Sequence, residues 1–311
     1  MKQPVIILFL LIPSFFFAQT EEELVLKSKP SNLYGTLLVP DNHSSTVVLI
    51  IGGSGPTDRD GNSAGGTGKN NSLKYLAENL AKEGVASLRI DKRGVAKSLS
   101  AAAKEEDLRF DTYINDVIDW GFQLLNDTRF KKLVVAGHSE GSLIGMVACQ
   151  ELDAAGYISL AGTGFSIDEI ITKQMEAQSD SVKTEMAVIF KELNNGKIVK
   201  NVSVELLSLF RPSIQPYFIS WLKYDPAVEI AKLNIPVLII NGTTDIQVGV
   251  DNAEKLHEVS PTSELIIIEG MNHIFKEAPT DRDENIATYS DPKLKNVPQL
   301  NEAVVKFVKS L

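Results

Sequence analysis

The sequence predicts an α/β domain built on a mostly parallel sheet with helices on both faces, carrying one helical insertion. Two observations lead there. Short apolar runs alternate with amphipathic stretches along most of the chain, the pattern of strand–helix–strand units. That alternation lapses once, over residues 165–232, into a mainly helical segment and then resumes, so the segment reads as an insertion between two strands. Composition agrees with a single globular domain. The 311 residues are 43% hydrophobic and 23% charged, which argues against disorder, and the 21 Gly and 13 Pro follow no period. The length suits one large domain with an insertion rather than an array of modules, and no internal repeat is visible. A formal charge of −9, without a basic patch, argues against a partner reached through nucleic-acid phosphates. Cys149, the one cysteine, can form neither an intramolecular disulfide nor a multi-cysteine metal site and is expected in the core.

Taken in order, residues 1–18 read as a signal peptide. One Lys precedes a run of aliphatic and aromatic residues broken at Pro13-Ser14, and Ala18 stands before polar Gln19-Thr20-Glu21. The apolar run is shorter than the roughly 18–20 residues that span a bilayer, and no stop-transfer cluster follows it. Cleavage is expected after Ala18; Phe16 stands where a small residue is usual, which leaves an uncleaved membrane anchor as the alternative. No Cys follows, which excludes a lipoprotein. The expectation is an exported protein, periplasmic or secreted, with no stable membrane insertion once the segment is removed.

Leu24–Lys29 and Leu33–Pro40, separated by Ser31-Asn32, read as an antiparallel hairpin that opens the sheet. Strand and helix then alternate: Val47–Ile51 and Ser72–Glu83; Val85–Ile90 and Asp111–Asn126; Leu133–Ala136 and Ser142–Leu152; then Gly156–Leu160. After the insertion come Ile235–Ile240, Ala253–Glu258, Leu265–Ile268 and a closing helix over Asn301–Lys309. The domain plan is therefore a core of residues 19–164 and 233–311, with residues 165–232 as a helical cap after the sixth strand. Its aromatics Phe218, Trp221 and Tyr224 either wall a pocket or pack the cap's own core.

The chemistry concentrates at Gly137-His138-Ser139-Glu140-Gly141, which follows the apolar run Leu133–Ala136 and opens a helix. This is G-x-S-x-G in strand–turn–helix context. The turn is tight, glycines two positions either side of the serine let neighbouring backbone pass, and the helix N-terminus favours developing negative charge. A hydroxyl nucleophile needs a base, and the base an orienting carboxylate, in chain order Ser, Asp or Glu, His. Asp245 follows the strand Ile235–Ile240, and His273 follows the strand Leu265–Ile268, so both lie at carboxyl ends of strands, where ligand sites of α/β sheets form. Of the remaining histidines, His43 sits in a polar loop, His257 in a surface helix, and His138 beside the serine and pointing elsewhere. For an oxyanion, one donor is the Glu140 backbone N–H. The other comes from the loop after the third strand, with Ser54 N–H chosen over Gly53. That glycine-rich loop is not a nucleotide-binding P-loop, because Gly61 is not followed by Lys. Asp58-Arg59-Asp60 reads as loop structure or as a reader of polar substrate groups, and Asp91–Gly94 as loop support with Arg93 bonding neighbouring carbonyls.

Gly53-Ser54-Gly55-Pro56-x-Asp58-Arg59-Asp60, Asp91-Lys92-Arg93-Gly94, Gly137–Gly141, Asp245 and His273 together resemble the serine α/β-hydrolases. The likeness is nearest to the bacterial carboxylesterase branch related to dienelactone hydrolases and prolyl-oligopeptidase-like enzymes, and it runs along the chain after residue 18. It implies the α/β-hydrolase fold, Ser139 as nucleophile, Asp245 as acid, His273 as base, and short acyl esters as substrates, with no metal or organic cofactor. Two positions depart from the family pattern: Gly52 replaces the usual His before the oxyanion glycine, and Ala96 replaces the second glycine of D-x-R-G-x-G-x-S. The same triad serves peptidases and acyltransferases. A non-catalytic binding scaffold is the contrasting reading, and an intact triad weighs against it.

Overall fold

Alternate residues of the central strands face opposite sides of the sheet, and both sides are apolar, so each strand is covered twice. Val47, Leu49, Ile51, Leu133 and Val135 pack into one core cluster, while Val48, Ile50, Val134 and Ala136 pack into another on the opposite face. The structure, a computed structural model, describes residues 19–64, 68–102 and 104–311. The expected signal peptide, residues 1–18, lies outside them. No helix among the described residues is long and apolar enough to cross a membrane.

The strands are β1 (Gln19–Leu26), β2 (Leu33–Pro40), β3 (Thr46–Ile51), β4 (Ala86–Ile90), β5 (Lys132–His138), β6 (Ala154–Leu160), β7 (Val237–Gly242) and β8 (Glu264–Ile268). They form one eight-stranded sheet in the order β1-β2-β4-β3-β5-β6-β7-β8. β1 pairs with β2 and β2 with β4 antiparallel, and every other pairing is parallel. The expected opening hairpin is thus present, with β1 beginning at Gln19 rather than Leu24.

Helices α1 (Ser72–Lys82) and α11 (Pro298–Ser310) cover one face; α2 (Phe110–Leu125) and α3 (Glu140–Ala148) cover the other. α9 (Val250–Val259) joins β7 to β8, and α10 (Arg282–Ala287) lies in the segment before α11. Between β6 and β7 run α4 (Ile167–Gln174), α5 (Asp180–Asn194), α6 (Leu207–Phe210), α7 (Gln215–Trp221) and α8 (Pro226–Ile230). This segment docks at the start of α2. Trp221 stacks on Phe110 with ring centroids 5.1 Å apart and planes 12° from parallel, and the Phe110 N–H donates to Ser220 Oγ at 2.7 Å. Phe218 and Tyr224 join the same aromatic cluster, so the three aromatics pack a core rather than wall a cavity. Cys149 is buried, and burial pushes its thiol up, leaving it the inert core residue the sequence implies.

The strand order reverses direction between β3 and β5: the chain goes from β3 outward to β4, then returns to the other side of β3. Ligand sites of open α/β sheets form outside the strand ends at such a point. Ile51 and Gly137 form the last pair between β3 and β5, and β5 ends one residue later at His138, so Gly52–Ser54 and Ser139 leave the sheet side by side.

Candidate active site

Ser139 sits between β5 and α3 with φ 54° and ψ −122°, a strained conformation for a residue with a side chain. Its two flanking glycines are required by contact. A Cβ on Gly137 would stand 2.2 Å from the Gly141 carbonyl oxygen, and one on Gly141 would stand 2.6 Å from that of Gly52. The sharp turn is therefore possible only with glycine at both places, and it lifts Ser139 out of the sheet at the head of α3.

Asp245 and His273 meet. The loops after β7 and β8 run against each other, and His273 Nδ1 lies 2.8 Å from Asp245 Oδ2. Asp245 Oδ1 accepts the N–H groups of Gln247 at 2.8 Å and Val248 at 2.9 Å, so the carboxylate is held from three directions. Its side chain is wholly buried and that of His273 nearly so. With Nδ1 donating to the carboxylate, Nε2 is the free nitrogen of His273. Ser139 and His273 line one cavity of about 180 Å³, together with Gly53, Ser54, Asn70 and Tyr289 among others. No Ser139 Oγ–His273 Nε2 hydrogen bond is closed among the described residues. Such contacts commonly tighten only when substrate is bound.

Two residues that sequence reasoning did not use hold His273 in place. His138 is buried, its Nε2 donates to the His273 carbonyl at 2.9 Å, and the two rings lie 4.7 Å apart. Burial, then the neighbouring His273, pushes the His138 pKa down from 6.5 to about 3, so this ring stays neutral and works as a fixed donor. Asn272 organises the tight loop: its Oδ1 accepts from Ile274 N and Lys276 N at 3.2 and 3.0 Å, and its Nδ2 donates to Thr288 Oγ1 at 2.8 Å. A sequence signal existed for His138, which lies inside the serine motif; none marks Asn272.

The loop after β3 forms the opposite wall. A Cβ on Gly53 would lie 3.2 Å from Ser139 Cβ, so this backbone passes directly over the serine. The Asp58-Arg59-Asp60 run is spent on holding that loop. Asp58 accepts from the N–H groups of Asp60 and Asn62, Arg59 pairs with the buried Asp91 at 2.6 Å, and Asp60 pairs with Arg89. Arg93 grips Asp116 with two nitrogens and donates to the Lys29 and Ala101 carbonyls, the support role expected of it. At Ala96, where the family pattern has glycine, φ is 45°, so the backbone keeps the left-handed turn despite the side chain.

Residues 165–232 contribute nothing to the lining of the Ser139 cavity. They line its neighbour instead, about 290 Å³, through Arg211, Ile214 and Tyr217. Among the described residues, no group of three or more His, Cys, Asp or Glu could hold a metal ion.

The family described as serine aminopeptidase, S33, matches residues 64–215, just under half of the chain; the match includes Ser139 and ends before Asp245 and His273. Esterase EstD of Thermotoga maritima is 24% identical over 251 residues, which is 79% of this chain and 58% of that protein. The chain therefore spans little more than half the length of that relative. Est1E of Butyrivibrio proteoclasticus superposes with a TM-score of 0.61 at 17% identity, covering 92% of this chain and 99% of that one. A dienelactone hydrolase of Anabaena variabilis superposes with a TM-score of 0.56 at 16% identity, covering 94% and 98%. The strand order, the serine turn at the end of β5 and the likeness to these solved structures agree on one architecture, and the chain has the α/β-hydrolase fold.

Proposed function

We propose that this protein is a serine esterase that cleaves small carboxylic esters through an acyl-enzyme. The observation that carries the reading is the buried Asp245–His273 pair opening into the same cavity as a serine held in a strained turn. In this mechanism Ser139 Oγ attacks the ester carbonyl and His273 Nε2 takes its proton. Asp245 stabilises the imidazolium that forms. The negative oxygen is held by the backbone N–H groups of Glu140 and Ser54, with the N-terminus of α3 adding a favourable field. The tetrahedral intermediate collapses, His273 returns the proton to the leaving alcohol, and water repeats the sequence to release the acid.

Esters are favoured over the aminopeptidase substrates of the S33 family by the lining of the cavity. Among the described residues it is lined by hydroxyl, amide, imidazole and glycine surfaces and the aliphatic Ile274, with no carboxylate that could meet a peptide's free ammonium group. A volume of about 180 Å³ favours short acyl groups, since drug-sized ligands fill roughly 300–1,000 Å³. Export directed by residues 1–18 belongs to the same proposal, and the mass of the mature amino terminus tests it: cleavage after Ala18 is expected.

The test of the activity is hydrolysis of p-nitrophenyl esters from acetyl to long-chain acyl, by the wild type beside Ser139→Ala. Turnover that falls with chain length and vanishes in the variant is expected. Equal rates in the two proteins would overturn the reading, and cleavage of aminoacyl amides in preference to every ester would transfer it to a peptidase.

A further inference from the structure

Lys92 is a buried cation that the esterase mechanism leaves without work. It follows β4 in a turn clamped on either side, by the Arg59–Asp91 pair before it and by the Arg93–Asp116 pair after it. Its ammonium donates to the Gly53 carbonyl and to Glu140 Oε1, at 2.7 Å for the latter, and stands 5.6 Å from the centre of the Tyr113 ring. Both ends of the Lys92–Glu140 pair are about 5% exposed or less. A lysine in such a place is expensive to desolvate, and replacing a buried ion pair with apolar side chains is often neutral or stabilising. Stability alone therefore gives a weak reason for it.

Its two partners supply a better one. Gly53 carries the carbonyl of the peptide whose N–H belongs to Ser54, and Glu140 is the residue whose own N–H lies next to the serine. These are the two residues to which the proposed function assigns the oxyanion donors. A trans peptide is planar, with C=O and N–H pointing opposite ways. Tying the Gly53 oxygen to Lys92 therefore aims the Ser54 N–H away from Lys92. The two cavities give the direction: Lys92 and Glu140 line the one shared with the insertion, whereas Ser54 and Ser139 line the other. The N–H is thus turned toward the serine's side of the loop.

We propose that Lys92 is a positioning residue that sets the oxyanion site by fastening its two halves, the glycine loop after β3 and the head of α3, to one ammonium. An ammonium suits the task, because its donors can serve a carbonyl, a carboxylate and an aromatic face from a single point. The proposal rests on the esterase reading and can fail without it.

The test is Lys92→Met, assayed with p-nitrophenyl acetate. An oxyanion donor acts in the transition state and not on the bound ester, so kcat should fall while KM stays within about twofold. Loss of a whole donor is worth roughly 100-fold or more; a donor left in place but free to turn should lose roughly 10- to 100-fold. Affinity for a trifluoromethyl ketone, which presents the oxyanion, should weaken by the same factor. A merely structural lysine would lower the melting temperature and leave the kcat of the folded protein and the ketone affinity alone, which overturns the proposal. Since Lys92→Met strands the Glu140 carboxylate, Lys92→Met/Glu140→Leu removes the pair together and carries the same test should the single variant not fold. If Ser139→Ala retains turnover, the esterase reading fails; if it abolishes turnover while both Lys92 variants keep wild-type kcat, only the role of Lys92 fails.

Discussion

At the scale of single residues, His138 shows how one side chain can serve geometry and make the fold sensitive to pH. Its ring is neutral because burial and the neighbouring His273 hold its pKa near 3, against an ordinary 6.5. Between these values the unfolded chain binds a proton that the folded chain refuses. The contribution of His138 to folding stability is therefore complete above pH 6.5 and is lost as pH falls toward 3, with a slope of at most about 1.4 kcal/mol per pH unit. In His138→Gln the amide can still donate to the His273 carbonyl but cannot titrate. Melting temperatures of the two proteins across this window should diverge, the wild type dropping more steeply; parallel profiles would show that His138 does not set the acid limb. Candidate site residues were legible where the signal was local. Ser139, Asp245 and His273 stand out because each follows an apolar strand in a short polar loop. His138 and Lys92 stand equally near such strands, but their work depends on partners 135 and 48 residues away along the chain, which no local pattern announces.

At the scale of elements, the β5–α3 turn is where strain is concentrated and where sequence and structure correspond most directly. The carbonyls of Gly141 and Gly52 occupy the space that side chains at 137 and 141 would need. Gly137→Ala must push the head of α3 away from β5, and since that head carries Ser139, activity should suffer beyond what stability alone explains. Overpacking of this kind costs about 1–3 kcal/mol. Urea unfolding should show a lower midpoint with an unchanged slope, while kcat/KM toward p-nitrophenyl acetate falls roughly 100-fold or more, as misplacement of the proposed nucleophile implies. A variant as active as the wild type would mean that the turn relaxes without moving the serine. Glycine spacing announces such a turn because the constraint is steric and local. The loop after β8 was only half readable: the strand's end placed His273, but the fastening by Asn272 relies on Thr288, beyond any short window.

At the scale of the whole molecule, the question is how the helices between β6 and β7 belong to the rest. The sequence showed where the strand–helix alternation lapses, because periodicity is a property of the segment itself. Which surface those helices cover depends on contacts with α2, and these could not be read from either segment alone. The aromatic cluster joins the insertion to the core without a gap: Phe110, Phe210, Phe218 and Trp221 belong to the same apolar cluster as Leu133 and Val135 of β5. Such continuity implies that the helices and the sheet unfold as one unit, in contrast to a separately folded domain. Trp221→Ala removes the ring stacked between Phe110 and Phe218 and should lower stability by about 3–5 kcal/mol. The unfolding transition should remain single, detected at the same midpoint by the remaining Trp120 fluorescence and by circular dichroism. Because residues 165–232 do not line the Ser139 cavity, KM for p-nitrophenyl acetate should stay within about twofold well below the melting temperature, while esters with large alcohols that reach the neighbouring cavity should lose affinity. Two separated transitions would instead make the insertion an independent unit, and a large rise in the acetate KM would mean that these helices close over the serine when substrate binds.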